Sequence, residues 1–146
     1  TERLRDSLMR RAAEMNGELI DGHSENVIAK AIDALKRGRI LMTECDEVDQ
    51  WRTKGNETIE AFGGSVKLDR TLDVLCRRSG STALSSFMVR TEQGYRLTIV
   101  PIEGRERALE GNMSAQILKT FERFVIMFPD QWYQWKKFHK MRPETA

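Results

Sequence analysis

The feature that most constrains this chain is a junction near its end, where an apolar helical stripe runs into a proline. Ile117, Leu118, Phe121, Val125 and Phe128 recur at the spacing of one helix face. Pro129 then ends the helix, because it has no N–H for the ladder and its ring clashes with the preceding turn. Behind it, Trp132, Tyr133, Trp135, Lys136, Lys137 and Phe138 crowd one short segment, which reads as a second helix carrying both tryptophans. Two roles suit such a tail. It latches the core, with Trp135 as the chief contact, or it anchors at a membrane surface, with Trp132 and Trp135 at headgroup depth and Lys136 and Lys137 against anionic lipid.

The rest of the chain alternates helical and extended patterns. Leu4, Leu8, Ala12 and Met15 mark a helix over residues 2–16, and Glu18–Asp21 is a short strand candidate. Ser24 is placed to cap a second helix, whose buried stripe is Val27, Ile28, Ala31, Ile32 and Leu35 and whose stop is Gly38. Ile40 to Cys45 is a nearly unbroken apolar run, the pattern of a strand covered on both faces. Residues 46–60 read as a polar loop, Phe62-Gly63-Gly64 as a turn, and Leu68, Leu72, Leu75 and Cys76 as a helix running from Val66 to Gly80. Thr82–Val89 and Tyr95–Ile102 form a hairpin across Thr91-Glu92-Gln93-Gly94. The sum is a single α/β domain over residues 1–146, with a mixed sheet of about four to five strands flanked by helices.

Composition narrows the partners. A formal charge of +2 is too small to announce a nucleic-acid binder, and no nucleic-acid motif accompanies the basic pairs. Arg10-Arg11, Lys36-Arg37-Arg39, Arg77-Arg78 and Lys136-Lys137-Lys140-Arg142 are local clusters suited to an anionic membrane surface, or else solvated helix ends. Cys45 and Cys76 read as inert core thiols of a reducing compartment, and His23 and His139 have no metal-ligand spacing. The longest strongly apolar run, Phe124–Phe128, is far short of the ~18 residues of a membrane span.

Chemistry has few candidates. No serine sits in a nucleophile elbow, and no glycine-rich phosphate loop precedes a helix. Asp46, just past an apolar strand, stands where α/β sheets place ligand contacts, though a loop or capping carboxylate occupies such a position too. Arg90 ends a strand in the same manner; its forked donors suit a phosphate or phosphopantetheine group, or an ion pair with Glu92. Phe62, Gly63 and Gly64 form a turn whose backbone amides could approach a lipid or phosphate.

These elements, in this order, resemble the bacterial lipid A lauroyl/myristoyl acyltransferases, of the lysophospholipid-acyltransferase-like superfamily. The residues carrying the resemblance are Ala31–Gly38, Ile40–Asp46 with its strand-end aspartate, Phe62-Gly63, Leu75–Gly80, Phe87–Arg90 with Gly94–Leu97, and the Pro129–Phe138 tail. The resemblance implies the C-terminal portion of the glycerolipid-acyltransferase-like fold. It also implies transfer of a fatty acyl chain from an acyl carrier protein or acyl-CoA thioester to a glycolipid or lysophospholipid, at the cytoplasmic face of a bacterial inner membrane. Asp46, Arg90, Phe62, Gly63 and Gly64 are then substrate contacts; the co-substrate thioester is the only group required, with no separate cofactor. The family uses a histidine base with a carboxylate five residues on. His23 is followed at that distance by Ile28, and His139 by Glu144 with Pro143 between, so the dyad is expected in an upstream segment or a partner chain. The competing expectation is a non-catalytic binding or scaffolding relative.

Overall fold

The computed structural model describes residues 2–22, 24–53, 57–102 and 113–143. They group into two compact units, Thr1–Leu41 and Met42–Ala146. In the first, helix α1 (Glu2–Glu14) ends where Asn16 turns to a positive φ of 55°, and helix α2 (Val27–Lys36) buries Ala31, Ile32 and Ala34. Arg37 pairs with Glu18 at 3.0 Å, and Arg39 donates to the Asn16 carbonyl at 3.1 Å. Residues 18–21 form no strand, and Asn26 rather than Ser24 stands at the α2 cap, with no side-chain capping bond.

The second unit contains strands β1 (Thr58–Ala61), β2 (Gly64–Lys67), β3 (Leu84–Thr91) and β4 (Gly94–Pro101). Its helices are α3 (Thr71–Ser79) and α4 (Met113–Met127), with 3-10 segments at Val48–Gln50, Pro129–Gln131 and Tyr133–Met141. The class is mixed α/β, but the expected sheet of four to five strands is not what forms. Among the described residues β1 pairs only with β2 and β3 only with β4, both antiparallel, giving two separate hairpins and no larger sheet. The expected strand at Ile40–Cys45 has no ladder partner among the described residues, and Ile40 and Met42 stand 91% and 89% exposed. An apolar run becomes a strand only when a neighbouring edge receives its peptide groups, and none does here.

Each hairpin turns in two residues. Phe62 and Gly63 have φ of 52° and 73°, the pair of positive values that defines a type I′ turn and matches the twist of the strands. The helix expected from Val66 therefore starts later, since Val66 and Lys67 belong to β2, and it stops as expected at Gly80, whose φ is 74°. Helix α4 packs on both hairpins: Val66, Leu118, Phe121, Val125, Trp132 and Met141 share one core cluster, and Phe87 stacks on Phe124 at 4.3 Å. A second cluster gathers Cys76, Ile102, Met113 and Ile117. Buried Asp73 joins α3 to α4 by accepting the Ser114 N–H at 3.0 Å in the first turn of α4, where a carboxylate suits the helix dipole. Arg70 pairs with that same carboxylate at 2.8 Å and also with Glu57.

Candidate functional site

A cavity of about 650 Å³ opens in the second unit between residues 42–46, strand β3 and helix α4. Its apolar wall is Met42, Phe87, Met88, Phe121, Phe124 and Trp132. Glu44, Asp46, Gln131 and Tyr133 supply the polar part of the lining. The aromatics are there for ordinary packing reasons: the α4 stripe puts Phe121 and Phe124 toward the hairpins, and Pro129 folds the tail back so that Trp132 meets Phe121 edge-on at 5.3 Å.

Of the residues singled out in the sequence, Asp46 and Trp132 come together. The indole Nε1–H of Trp132 donates to the Asp46 carboxylate at 3.1 Å, a bond that spans 86 positions and fixes both at the cavity wall. Next to them, the Tyr133 hydroxyl donates to Glu47, and this bond raises the Tyr133 pKa. Lys137 bridges to Asp49 at 2.7 Å and Glu47 at 3.8 Å, and Lys140 also binds Asp49. Flanked by Lys137 first and Lys140 second, the Asp49 carboxyl is pulled from its usual 3.8 to about 2. Burial, with Asp46 adding to it, pushes the Cys45 thiol up to about 11, so the nearest thiol stays protonated at neutral pH and is no nucleophile.

The other expected contacts are not among the lining residues, although Phe62 packs behind two that are. Phe62 packs its ring among Phe121, Phe138 and Trp132. Its N–H is taken by Glu122, and its carbonyl accepts from Arg142 at 2.8 Å. Although burial raises Glu122, the Lys119 ammonium and the Phe62 N–H outweigh it, and the Glu122 pKa falls. Gly63 supplies the second positive φ of the turn; a Cβ on Gly64 would meet the Arg142 guanidinium at 2.6 Å, so the close approach at this glycine is made by the protein itself. Arg90 is exposed, and its guanidinium forms no ion pair with Glu92 or any other described residue. Its backbone is held instead: the Arg90 N–H donates to the Gln131 side-chain carbonyl at 2.7 Å, and the Gln131 amide donates back to the Arg90 carbonyl at 3.2 Å. Trp132 is 5% exposed and Trp135 44%, so burial falls on Trp132 rather than on Trp135, whose indole N–H binds the Pro129 carbonyl. Lys136 is exposed, while Lys137 is committed to carboxylates.

Met42, Phe87 and Gln131 were not singled out as site residues. Phe87 was visible as a strand residue and Met42 as part of an apolar run, but nothing in the sequence indicates that Gln131 would hold a strand edge. His139 is exposed on the last 3-10 segment, and its candidate partner Glu144, like His23, lies outside the described residues. Among the described residues no cluster of His, Cys, Asp and Glu has the arrangement of a metal site, and no helix is long and apolar enough to cross a membrane. No family model, curated protein or solved structure matches the chain.

Proposed function

We propose that this chain is the acyl-holding part of an acyltransferase, with the hydrocarbon tail of a thioester or lipid in the cavity between residues 42–46, β3 and α4. The observation that carries the reading is the lining, an apolar wall of methionine and aromatic side chains together with a few polar groups around Asp46 and Tyr133. Such a site suits a molecule that is mostly hydrocarbon with one polar end. The resemblance of the Pro129–Phe138 tail and the elements before it to lipid A-type acyltransferases supports the same reading. The donor is then an acyl carrier protein or acyl-CoA thioester and the acceptor a glycolipid or lysophospholipid hydroxyl, at an anionic membrane surface such as the cytoplasmic face of a bacterial inner membrane. The hydroxyl oxygen attacks the acyl carbonyl carbon as its proton passes to a base; the C–S bond then breaks, and the departing thiolate takes that proton from the base to leave as the thiol. That base is supplied by an upstream segment or a partner chain.

A second reading, an acyl-binding module with no chemistry of its own, is favoured by the commitment of the local ionisable groups. Asp46 accepts from Trp132, Tyr133 binds Glu47, and Cys45 is held protonated. Titration of a fluorescent undecanoyl probe tests what the two readings share. Met42→Asp, at an exposed wall position, should weaken binding about tenfold, as expected from losing the burial of roughly two methylenes at ~0.8 kcal/mol each, while the thermal melt stays in place. No binding by the wild-type chain would refute both readings. Turnover separates them: transfer from an acyl thioester that appears when a polypeptide bearing the histidine–carboxylate pair is added supports the first.

A further inference from the structure

The β3–β4 hairpin has two unlike faces. Its register pairs Ser86 with Ile99, Met88 with Leu97 and Arg90 with Tyr95, and residues paired across a ladder project to the same side. The opposite side carries Ser85, Phe87 and Val89, and this is the side that packs: Ser85 and Val89 are buried and Phe87 lies on Phe124. On the first side Leu84, Met88, Tyr95, Leu97 and Ile99 are each more than half exposed. An antiparallel pair with one solvated face ordinarily alternates apolar inward with polar outward, so an outward face this apolar requires a cover.

We infer that the exposed face of this hairpin docks onto a lipid bilayer carrying anionic headgroups. The inference rests on the acyl-holding reading of the neighbouring cavity and deepens it. Charge selects the occupant: along the two strands this face carries one cation, Arg90, and no acid, and the Arg90 guanidinium has no ion pair among the described residues. Arg90 and Tyr95 stand side by side at the turn end, each an apolar body with a polar tip, a form suited to headgroup depth. Continuity supplies the second argument. Ser86 and Met88 belong both to this face and to the cavity wall, so a hydrocarbon tail leaving the bilayer would meet the cavity along the same strand.

Flotation with vesicles of phosphatidylcholine and phosphatidylglycerol tests this directly, since aggregated protein sinks while bound protein rises. The 146-residue chain should float with the vesicles, and the double variant Leu97→Asp, Ile99→Asp should lose partition at least tenfold. Arg90→Gln should lower partition about fivefold, to the level seen with phosphatidylcholine alone. Because all three side chains are exposed, melting temperatures should match wild type; if the double variant fails to fold, Arg90→Gln carries the test. The cavity reading stands or falls separately: Met42→Asp should float like wild type, and the double variant should bind the soluble undecanoyl probe normally. Three results would overturn the inference. They are absence of wild-type flotation, unchanged flotation of both face variants, and sedimentation equilibrium showing a wild-type dimer that the double variant splits, which would make the face a contact between copies.

Discussion

The two hairpins of the second unit are built alike and secured in opposite ways. Both turn in two residues, and β3–β4 has twice the strand length of β1–β2, eight residues against four. Yet the short hairpin is the enclosed one. Ala61 and Val66 are buried, and the Phe62–Gly63 turn is held by three rings, the Glu122 carboxylate and the Arg142 guanidinium. The long hairpin has one packed face, and Gln131 satisfies its β3 edge only at Arg90. What differs is where the stabilisation comes from. An isolated two-stranded ribbon is marginal in water, so each hairpin is as firm as what packs on it. The enclosure of β1–β2 also tolerates an aromatic residue at φ 52°, a conformation that costs a non-glycine residue roughly 1–2 kcal/mol.

The largest expected effect tests that enclosure. Trp132→Ala removes the buried ring against Phe62 and Phe121 and should cost about 3–5 kcal/mol in denaturant melts. Trp135→Ala, at a half-exposed ring, should cost less, about 1–2 kcal/mol, from its hydrogen bond to Pro129 and its edge contacts with Trp132 and Phe138. Equal costs would mean that the tail closes the core through both tryptophans. A middle-sized effect compares the two edge clamps. Arg142→Ala leaves the Phe62 and Ser65 carbonyls without their donor and should cost about 1–3 kcal/mol. Gln131→Ala frees peptide groups at an exposed position, where water replaces the amide, and should cost about 0.5 kcal/mol. A Gln131 variant as damaging as Arg142→Ala would show that the long hairpin depends on its edge.

The smallest effect concerns the acidic loop beside the tail. The Asp49 carboxyl is depressed from 3.8 to about 2 by Lys137 and Lys140, so its contribution is complete above pH 3.8 and is lost as pH falls toward 2. An NMR titration should find Asp49 still ionised at pH 3, and Lys137→Met should return its midpoint toward 3.8. Titration near 3.8 in the wild type would show that the tail is not tied to this loop.

Legibility from sequence follows the same divide between the hairpins. Strands β3 and β4 announce themselves by alternation and by Gly94, and the Ile117–Phe128 stripe with Pro129 gives α4 and its end. β1–β2 stayed hidden because its strands are four residues long, and its turn uses Phe62 where asparagine or glycine is the usual signal. Val66 and Leu68 then look like the start of the helical stripe that continues through Leu72 and Leu75. Ile40–Cys45 misled for another reason, since an apolar run does not say whether a partner edge exists. At the cavity, Asp46 and Trp132 were readable one at a time, but their hydrogen bond depends on how the tail folds back, and Gln131 has no local signature at all.

The Arg142 clamp on the first turn also bears on the order of events during synthesis. Its two bonds reach back 77 and 80 positions, to Ser65 and Phe62. A ribosome adding about 5–20 residues each second needs roughly 4–16 s to travel that far, while hairpins form in about 1–10 μs. The Phe62 turn must therefore wait, unclamped, until Arg142 has been made, and a nascent chain stalled before Arg142 should present β1–β2 as a more open ribbon than a chain that includes it.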